Sequence, residues 1–490
     1  MRRSDTNHAP NVLFVLTDQW PATRFSHRGS PVQTPNVDAL AAHGTVFTNA
    51  FTTCPLCTPA RGTLLSGRWP WRTGVIDNYG IGYSTQEPMA TSIHTWIDAA
   101  ARSGFEVGYF GKWHLGPDGP ALHGAHASTH GIDAGKSPYD GKNESHSYQK
   151  ALDQQARQKS RIIDGVPPFY GRLKGGKEAA DTHRTTTETT AFIDRVAAAS
   201  KERPFFLTAS FNGPHFPHYL PAEYAALYDP ADVTPPASLH DSFERKPWFH
   251  SKPWWPSMDT SWMDEEAWRK AIAFTWGHMT MVDHAIGTIL GALQRHGLSD
   301  KTVVVFTADH GDMCGEHSRF DKGPYFYDEV MNIPLVIGYP GKQPAVQPGF
   351  ASLLDVGATL FGLAGDHDHI GMTDGRDLLP AVGVSTPVGP DEAFGAYQRY
   401  NGMSFEVRCL RTERHKLVWN PQAVDELYDL TVDPAELHNR IDDPELAGVQ
   451  SDMMTRLLRF FAERGDKLAA DRPTDLPAAG TIILTGKDGP

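Results

Sequence analysis

The sequence predicts an α/β fold: one large, mostly parallel β-sheet flanked by helices, followed by a smaller α+β unit with a short antiparallel sheet. Three observations carry this. A strand-then-helix grammar recurs along the first 390 residues. Its strands are continuous apolar runs of the kind buried on both faces of a parallel sheet. Beyond about Ala393 the pattern changes to short alternating strands and one helix.

The first run, Asn11-Val-Leu-Phe-Val-Leu16, delivers Thr17-Asp18-Gln19 at its carboxyl end. Thr34 then caps a short helix with Pro35 at its first position, Val37, Leu40 and Ala41 on one face, and Gly44 as its stop. Ile93, Trp96, Ile97 and Ala100 make a helical stripe ending near Gly104, and a strand around 105–110 follows, leading into Gly111-Lys112-Trp113-His114. A helix near 189–199 precedes the strand Phe205–Phe211, which runs into Asn212-Gly213-Pro214-His215. A long helix over 265–296, stopped by Gly297, precedes the strand 302–307 and then Asp309-His310-Gly311. Ligands of open parallel sheets bind beyond the carboxyl ends of the strands, so these polar clusters are expected to converge.

Two stretches break the grammar: 117–184, rich in Gly, His, Asp, Ser and Lys, and 229–264, which carries Trp248, Trp254, Trp255 and Trp262 among prolines. Both are expected to be loop insertions that shape a pocket or decorate the sheet edge. After a helix around 353–364 and a Gly/Pro/Asp-rich passage to Pro390, strands are expected at 406–410 and 416–419, then a turn-rich segment 425–430 and a helix near 445–464. The expected division is 1–390 for the large α/β domain, 391–465 for the small α+β domain and 466–490 for an arm or loose tail.

Composition removes several functions. The formal charge of the 490 residues is −13, from 45 Lys+Arg against 58 Asp+Glu, so the basic footprint of a nucleic-acid binder is missing. Four cysteines are too few to staple a chain of this size. Met1-Arg2-Arg3 is basic, but Val12–Leu16 is shorter than the roughly 7–15 residues of a signal core. No run approaches the roughly 18 apolar residues of a membrane span, so a cytoplasmic protein without membrane partners is expected.

At the strand ends, Asp18, Gln19, Asp309 and His310 offer two carboxylates, an amide oxygen and an imidazole. Such a set suits a hard divalent cation, and the imidazole also admits Mn²⁺ or Zn²⁺. By spacing alone, an Asp at a strand end reads more readily as a turn or cap. The pair Cys54-Pro-Leu-Cys57 is compatible with a redox couple, whereas a zinc site would need a second pair and Cys314 and Cys409 stand apart. A non-enzymatic redox or binding protein using Cys54 and Cys57 therefore stays open from these residues alone.

The segment Cys57-Thr-Pro-Ala-Arg61, followed by Leu65-Ser-Gly67, resembles the signature of the formylglycine-dependent sulfatases, in the alkaline phosphatase superfamily. The likeness extends to Asp18-Gln19, Gly111-Lys112-Trp113-His114-Leu115-Gly116, Pro214-His215, Asp309-His310-Gly311, Lys322 and Glu426-Leu427-Tyr428-Asp429-Leu430. It implies an alkaline-phosphatase-like sandwich and hydrolysis of a sulfate ester to an alcohol and inorganic sulfate. It implies oxidation of Cys57 to formylglycine by a separate maturation enzyme, with a hydrate as nucleophile. Asp18, Gln19, Asp309 and His310, completed by the modified Cys57, would hold one divalent metal, usually Ca²⁺ in this family, with Mn²⁺ or Mg²⁺ as alternatives. Arg61 would orient the diol, Lys112 and Lys322 would neutralise the sulfate, His114 would take the proton of the second hydroxyl, and His215 would hold sulfate or protonate the leaving alcohol.

The implied substrate is a sulfated carbohydrate or a small organic sulfate, with Trp254 and Trp255 as candidate stacking surfaces for a sugar; a homo-oligomer is compatible with the sequence. Gln19 and His310 depart from the commoner acidic residue and Asn. The Asp-Gln and Asp-His pairs also resemble choline sulfatases and phosphonate monoester and phosphodiester hydrolases, which makes the last two the alternative activity. Against it, Gly-Lys-Trp-His fits the sulfatase arrangement. A disulfide between Cys54 and Cys57 would block the maturation.

Overall fold

The continuous apolar runs become the middle of an eight-stranded sheet in a computed structural model that describes residues 9–81, 84–129, 162–166, 169–199, 203–252 and 259–471. The strands are β1 (Asn11–Asp18), β2 (Thr45–Phe51), β3 (Glu106–Gly111), β4 (Ala127–Thr129), β5 (Ile162–Val166), β6 (Tyr170–Leu173), β7 (Phe205–Pro214), β8 (His218–Leu220), β9 (Thr302–Ala308), β10 (Leu335–Gly338) and β11 (Ala345–Ser352). The large sheet has the order β11-β2-β10-β9-β1-β7-β3-β4. All its pairings are parallel except those of β10, which runs antiparallel to both β2 and β9.

The centre is β1, in register with β7 (Val12 opposite Phe206) and with β9 (Val12 opposite Val303). Val12, Leu13, Phe14 and Val15 are fully buried, which is why this strand shows no polar alternation. The helices form two packed groups. Pro35–His43 and Asp181–Ala197 pack on the long helix Glu265–Arg295, while Cys57–Ser66 and Trp96–Arg102 pack on Leu353–Leu363. Each group covers one face of the sheet, the sandwich expected above.

Order extends into 117–184. β5 and β6 join β8 in a three-stranded sheet, and the helix expected near residue 189 begins at Asp181. Its first turns, DTHRTTTETT, show no apolar stripe, and β-branched threonines are modest helix formers. Tertiary burial overrides this: Thr182, Thr185, Thr186 and Thr189 face the core, and the hydroxyls of Thr186 and Thr189 donate to Thr182 O and Thr185 O, each at 2.7 Å.

The second sheet, β12 (Glu392–Tyr400), β13 (Met403–Thr412), β14 (His415–Trp419) and β15 (Glu426–Asp429), is antiparallel throughout and is backed by the helix Ala447–Glu463. The segment 425–430, expected to be turn-rich, supplies its edge strand, because Leu427 and Tyr428 are buried between neighbours the local pattern does not show. The expected loose arm from 466 starts docked: Asp466 accepts from Arg408 Nε at 2.5 Å and Nη2 at 3.2 Å, both groups buried. Residues 472–490 lie outside the described residues. No helix among the described residues is long and apolar enough to cross a membrane.

Candidate active site

Four adjacent parallel strands, β9-β1-β7-β3, end side by side, and each hands a polar segment to the same rim: Asp309-His310, Asp18-Gln19, His215 and Lys112. Gly111 makes one of these turns possible, with φ +105° and backbone so close that a Cβ would lie 1.9 Å from Ser210 O. Lys112 N then donates to Ser210 O at 2.8 Å. Gln19 and His114 adopt left-handed φ of 66° and 60°, a strained conformation that clusters at functional sites.

The fifth contributor is the helix Cys57–Ser66, buried along its whole length, with Cys57 at its start. Thr58 holds that end in place, its N–H donating to Asn78 Oδ1 at 3.0 Å and its hydroxyl to His114 O at 2.8 Å. Donor atoms of Asp18, Cys57, Asp309 and His310 consequently lie within 4.8 Å of one another. Cys57 Sγ is 3.2 Å from His310 Nε2 and 3.8 Å from Asp18 Oδ1. His310 Nδ1 donates to Gly311 O at 2.8 Å, which turns Nε2 toward the cluster.

Cations surround this group. Arg61 Nε donates to Asp309 Oδ2 at 2.8 Å and Nη2 to Asp18 Oδ2 at 3.3 Å, while Nη1 donates to Lys112 O and Ser210 Oγ. Lys112 Nζ forms an ion pair with Asp18 Oδ2. Lys322 Nζ donates to Gln19 Oε1 at 2.9 Å and Asp321 Oδ1 at 2.7 Å and lies 2.9 Å from His215 Nε2. Gln19 Nε2 donates in turn to Asp312 Oδ2 at 3.0 Å.

The electrostatics follow. Burial pushes the Cys57 thiol up, but Lys112, Lys322, His310 and a hydrogen bond with His114 outweigh it and bring it well below the ordinary thiol value. Cys54, also buried, is pushed well up by burial and Asp77. Burial opposes ionisation of Asp18 as well, yet Lys112, His215 and Arg61 lower it to about 2. Burial and the charge of Asp18 raise Asp309. Burial alone would lower His310; Asp309 and Cys57 raise it to about 9. Two carboxylates, an imidazole and an anionic position converging on one point are a donor set that fits a divalent cation.

All ten polar residues anticipated from the sequence take part in this one cluster. Trp254 and Trp255 lie outside the described residues; of the same stretch, Trp248 and Trp262 are exposed. Sequence reasoning missed Asp312, Asp321 and Ser210, which orient Gln19, Lys322 and Arg61. The signal was adjacency: Asp312 follows Asp309 by three positions and Asp321 immediately precedes Lys322. All four cysteines are free, so no disulfide removes Cys57.

Residues 10–366 match the sulfatase family model. The chain is a sulfatase. A second model, the N-sulphoglucosamine sulphohydrolase C-terminal region, matches 315–463. Relatives include an uncharacterized sulfatase of Escherichia coli, 30% identical over 92% of this chain and 87% of its own. The choline-sulfatase of Rhizobium meliloti is 29% identical over 90% of this chain and 84% of its own. Among solved structures, the phosphonate monoester hydrolase of Agrobacterium radiobacter superposes with TM-score 0.73 and 25% identity, covering 93% of this chain and 96% of that one. Family membership makes this sulfatase a sulfuric ester hydrolase, and the non-enzymatic redox reading of Cys54 and Cys57 falls with it.

Proposed function

We propose that this sulfatase cleaves the sulfate ester of a saccharide or small organic alcohol, using Cys57 after its oxidation to formylglycine by a maturation enzyme. The observation that carries the reading is the placement of Cys57: fully buried, at a helix start, among metal-type donors and within the influence of Lys112, Lys322 and His114. Its side-chain position is where an oxygen nucleophile would stand, and a hydrated aldehyde would supply one there.

Asp18, Gln19, Asp309 and His310 would hold a divalent cation, Ca²⁺ foremost, with Mn²⁺ or Mg²⁺ as alternatives. Bound there, it would supply Lewis-acid activation of the nucleophile. The chain's own residues do the rest. Arg61 fixes Asp18 and Asp309, aligning both carboxylates. Lys112 and Lys322 answer the charge of the sulfate oxygens in the transition state. His215, its Nδ1 2.6 Å from Phe216 O and its Nε2 beside Lys322, stands where it can hold sulfate or hand a proton to the departing alcohol. His114, with Nε2 3.1 Å from Tyr79 O and a hydrogen bond to Cys57, would accept the proton of the second hydroxyl.

The N-sulphoglucosamine named by the C-terminal family model supports a sulfated sugar, and the choline-sulfatase relative a small organic sulfate, as substrate class. Phosphonate monoester hydrolysis is the second reading, favoured by the structural likeness at 25% identity. Two measurements test the proposal. Peptide mass spectrometry of protein made with a formylglycine-generating enzyme is expected to find aldehyde or hydrate at Cys57; unmodified thiol beside a modified control sulfatase would reject the nucleophile. The ratio of kcat/KM for matched aryl sulfate and aryl phosphonate monoester is expected to favour sulfate, and a reversed ratio selects the second reading.

A further inference from the structure

Away from the strand ends, a second set of donors converges between the helix Trp96–Arg102 and the short helix His367–Ile370. His94, Asp366 and His369 each place one ligand atom within 4.8 Å of the others. The segments are far apart in sequence, and the fold alone brings them together. His94 Nε2 is 2.9 Å from Asp366 Oδ2, and the rings of His94 and His369 meet edge-on with centroids 4.6 Å apart. His369 is only 4% exposed, yet its Nε2 has no hydrogen-bond partner among the described residues. A buried, unsatisfied imidazole nitrogen is costly unless something coordinates it.

The surroundings are those of a ligand set. Asp98 Oδ2 lies 3.8 Å from His94 Nδ1 and 3.1 Å from His123 Nδ1. At 3.8 Å the carboxylate acts on His94 through its charge and not through a hydrogen bond, and that charge favours a cation nearby. Asp98 is itself fixed by the capping box with Thr95. A cation already reaches this place: Arg102 Nη2 lies 2.5 Å from His94 Nε2, 3.1 Å from His94 Nδ1 and 3.5 Å from Asp366 Oδ2. Its side chain is 65% exposed, so it can leave for solvent on its flexible stem.

We propose that His94, Asp366 and His369 form a second metal site, for a borderline divalent cation of the Zn²⁺ class, which clips the start of the helix Trp96–Arg102 to the short helix His367–Ile370. Two imidazoles and one carboxylate suit Zn²⁺ better than Ca²⁺, and three protein ligands leave room for water. This separates the site in chemistry from the oxygen-rich cluster at the strand ends.

The test is Zn²⁺ binding to the full-length protein, read by competition with a chromophoric chelator and by Tm. Wild type and D309N, which impairs the strand-end cluster, are both expected to take Zn²⁺ and to gain Tm. H94A/H369A and D366N are expected to lose at least about tenfold in affinity and the Tm gain, while D98N, which removes only a nearby negative charge, weakens binding less. R102A, which removes the competing guanidinium, is expected to tighten it. Wild-type affinity in both H94A/H369A and D366N would overturn the proposal, as would loss of all Zn²⁺ binding in D309N. D366N, nearly isosteric, keeps the test open if the double variant fails to fold.

Discussion

Beneath the strand ends, Asp18, Asp309, His310 and Cys57 crowd acceptor atoms together, and their counter-ions stand outside the ring. Where the second sheet meets the first, another buried cluster is built on the opposite plan. Lys416 Nζ sits between Glu436, whose two carboxylate oxygens it meets at 2.8 Å, and Asp328, at 2.6 Å, and also donates to Phe326 O at 2.8 Å. Nearby, Lys246 pairs with Asp241, and Asp241 Oδ2 lies 2.6 Å from His317 Nδ1. In the second cluster opposite charges alternate and every Lys416 donor is used. In the first, two carboxylates and the Cys57 position converge with a single imidazole, and Asp18 and Asp309 are driven in opposite directions. Buried charge that is internally closed holds elements together; buried ligand-type donors that converge on one point are arranged for something that binds.

The largest effect expected is at the focus. Cys57→Ala is expected to lower kcat on an aryl sulfate by about 10⁴-fold or more with Tm nearly unchanged. Residual turnover near wild type would erase the functional half of the contrast. Next, Lys112→Ala or Lys322→Ala is expected to cost about 10²–10³-fold in kcat/KM, the scale of one charge-stabilising donor, with modest change in stability. Lys416→Met should do the reverse: about 3–5 kcal/mol of stability lost, because Asp328 and Glu436 are left facing each other, with kcat of the folded fraction retained. Denaturant unfolding alongside steady-state kinetics separates the two. If Lys416→Met cost activity and not stability, the two plans would not differ.

The smallest effect sharpens the closed cluster. Burial raises the Glu426 carboxyl from 4.5 to about 7, although the hydroxyl of Tyr428 and the amide of Asn420 donate to it. The folded state therefore holds its proton more tightly than the unfolded chain. Its contribution is fully present below about pH 4.5 and is lost as pH rises through 7. Glu426→Gln is expected to match wild-type Tm near pH 4 and to exceed it by a few degrees at pH 8. A pH-independent difference would show that Glu426 stays ionised in the fold.

Much of this was legible without coordinates because it depends on local pattern. The run Asn11–Leu16, the helix stopped by Gly297 and the helix at 353–364 appear within a residue or two of their expected bounds, since continuous burial and helix punctuation are written in neighbouring residues. Asp18, Gln19, Asp309 and His310 were nameable because each stands at a strand end. The helix start at Asp181 and the edge strand Glu426–Asp429 were not, because threonine hydroxyls and a turn-like Asp425 mean one thing in solvent and another when packed.

The sequence by itself determined the chemical inventory: which residues end the strands, which cysteine carries the family signature, and that the large sheet is mostly parallel. Only the tertiary structure decided that β9, β1, β7 and β3 lie next to one another, that Arg61 reaches both Asp18 and Asp309, and that His94 meets His369. Strand order and long-range contact arise from packing between segments hundreds of residues apart. No local propensity encodes that distance.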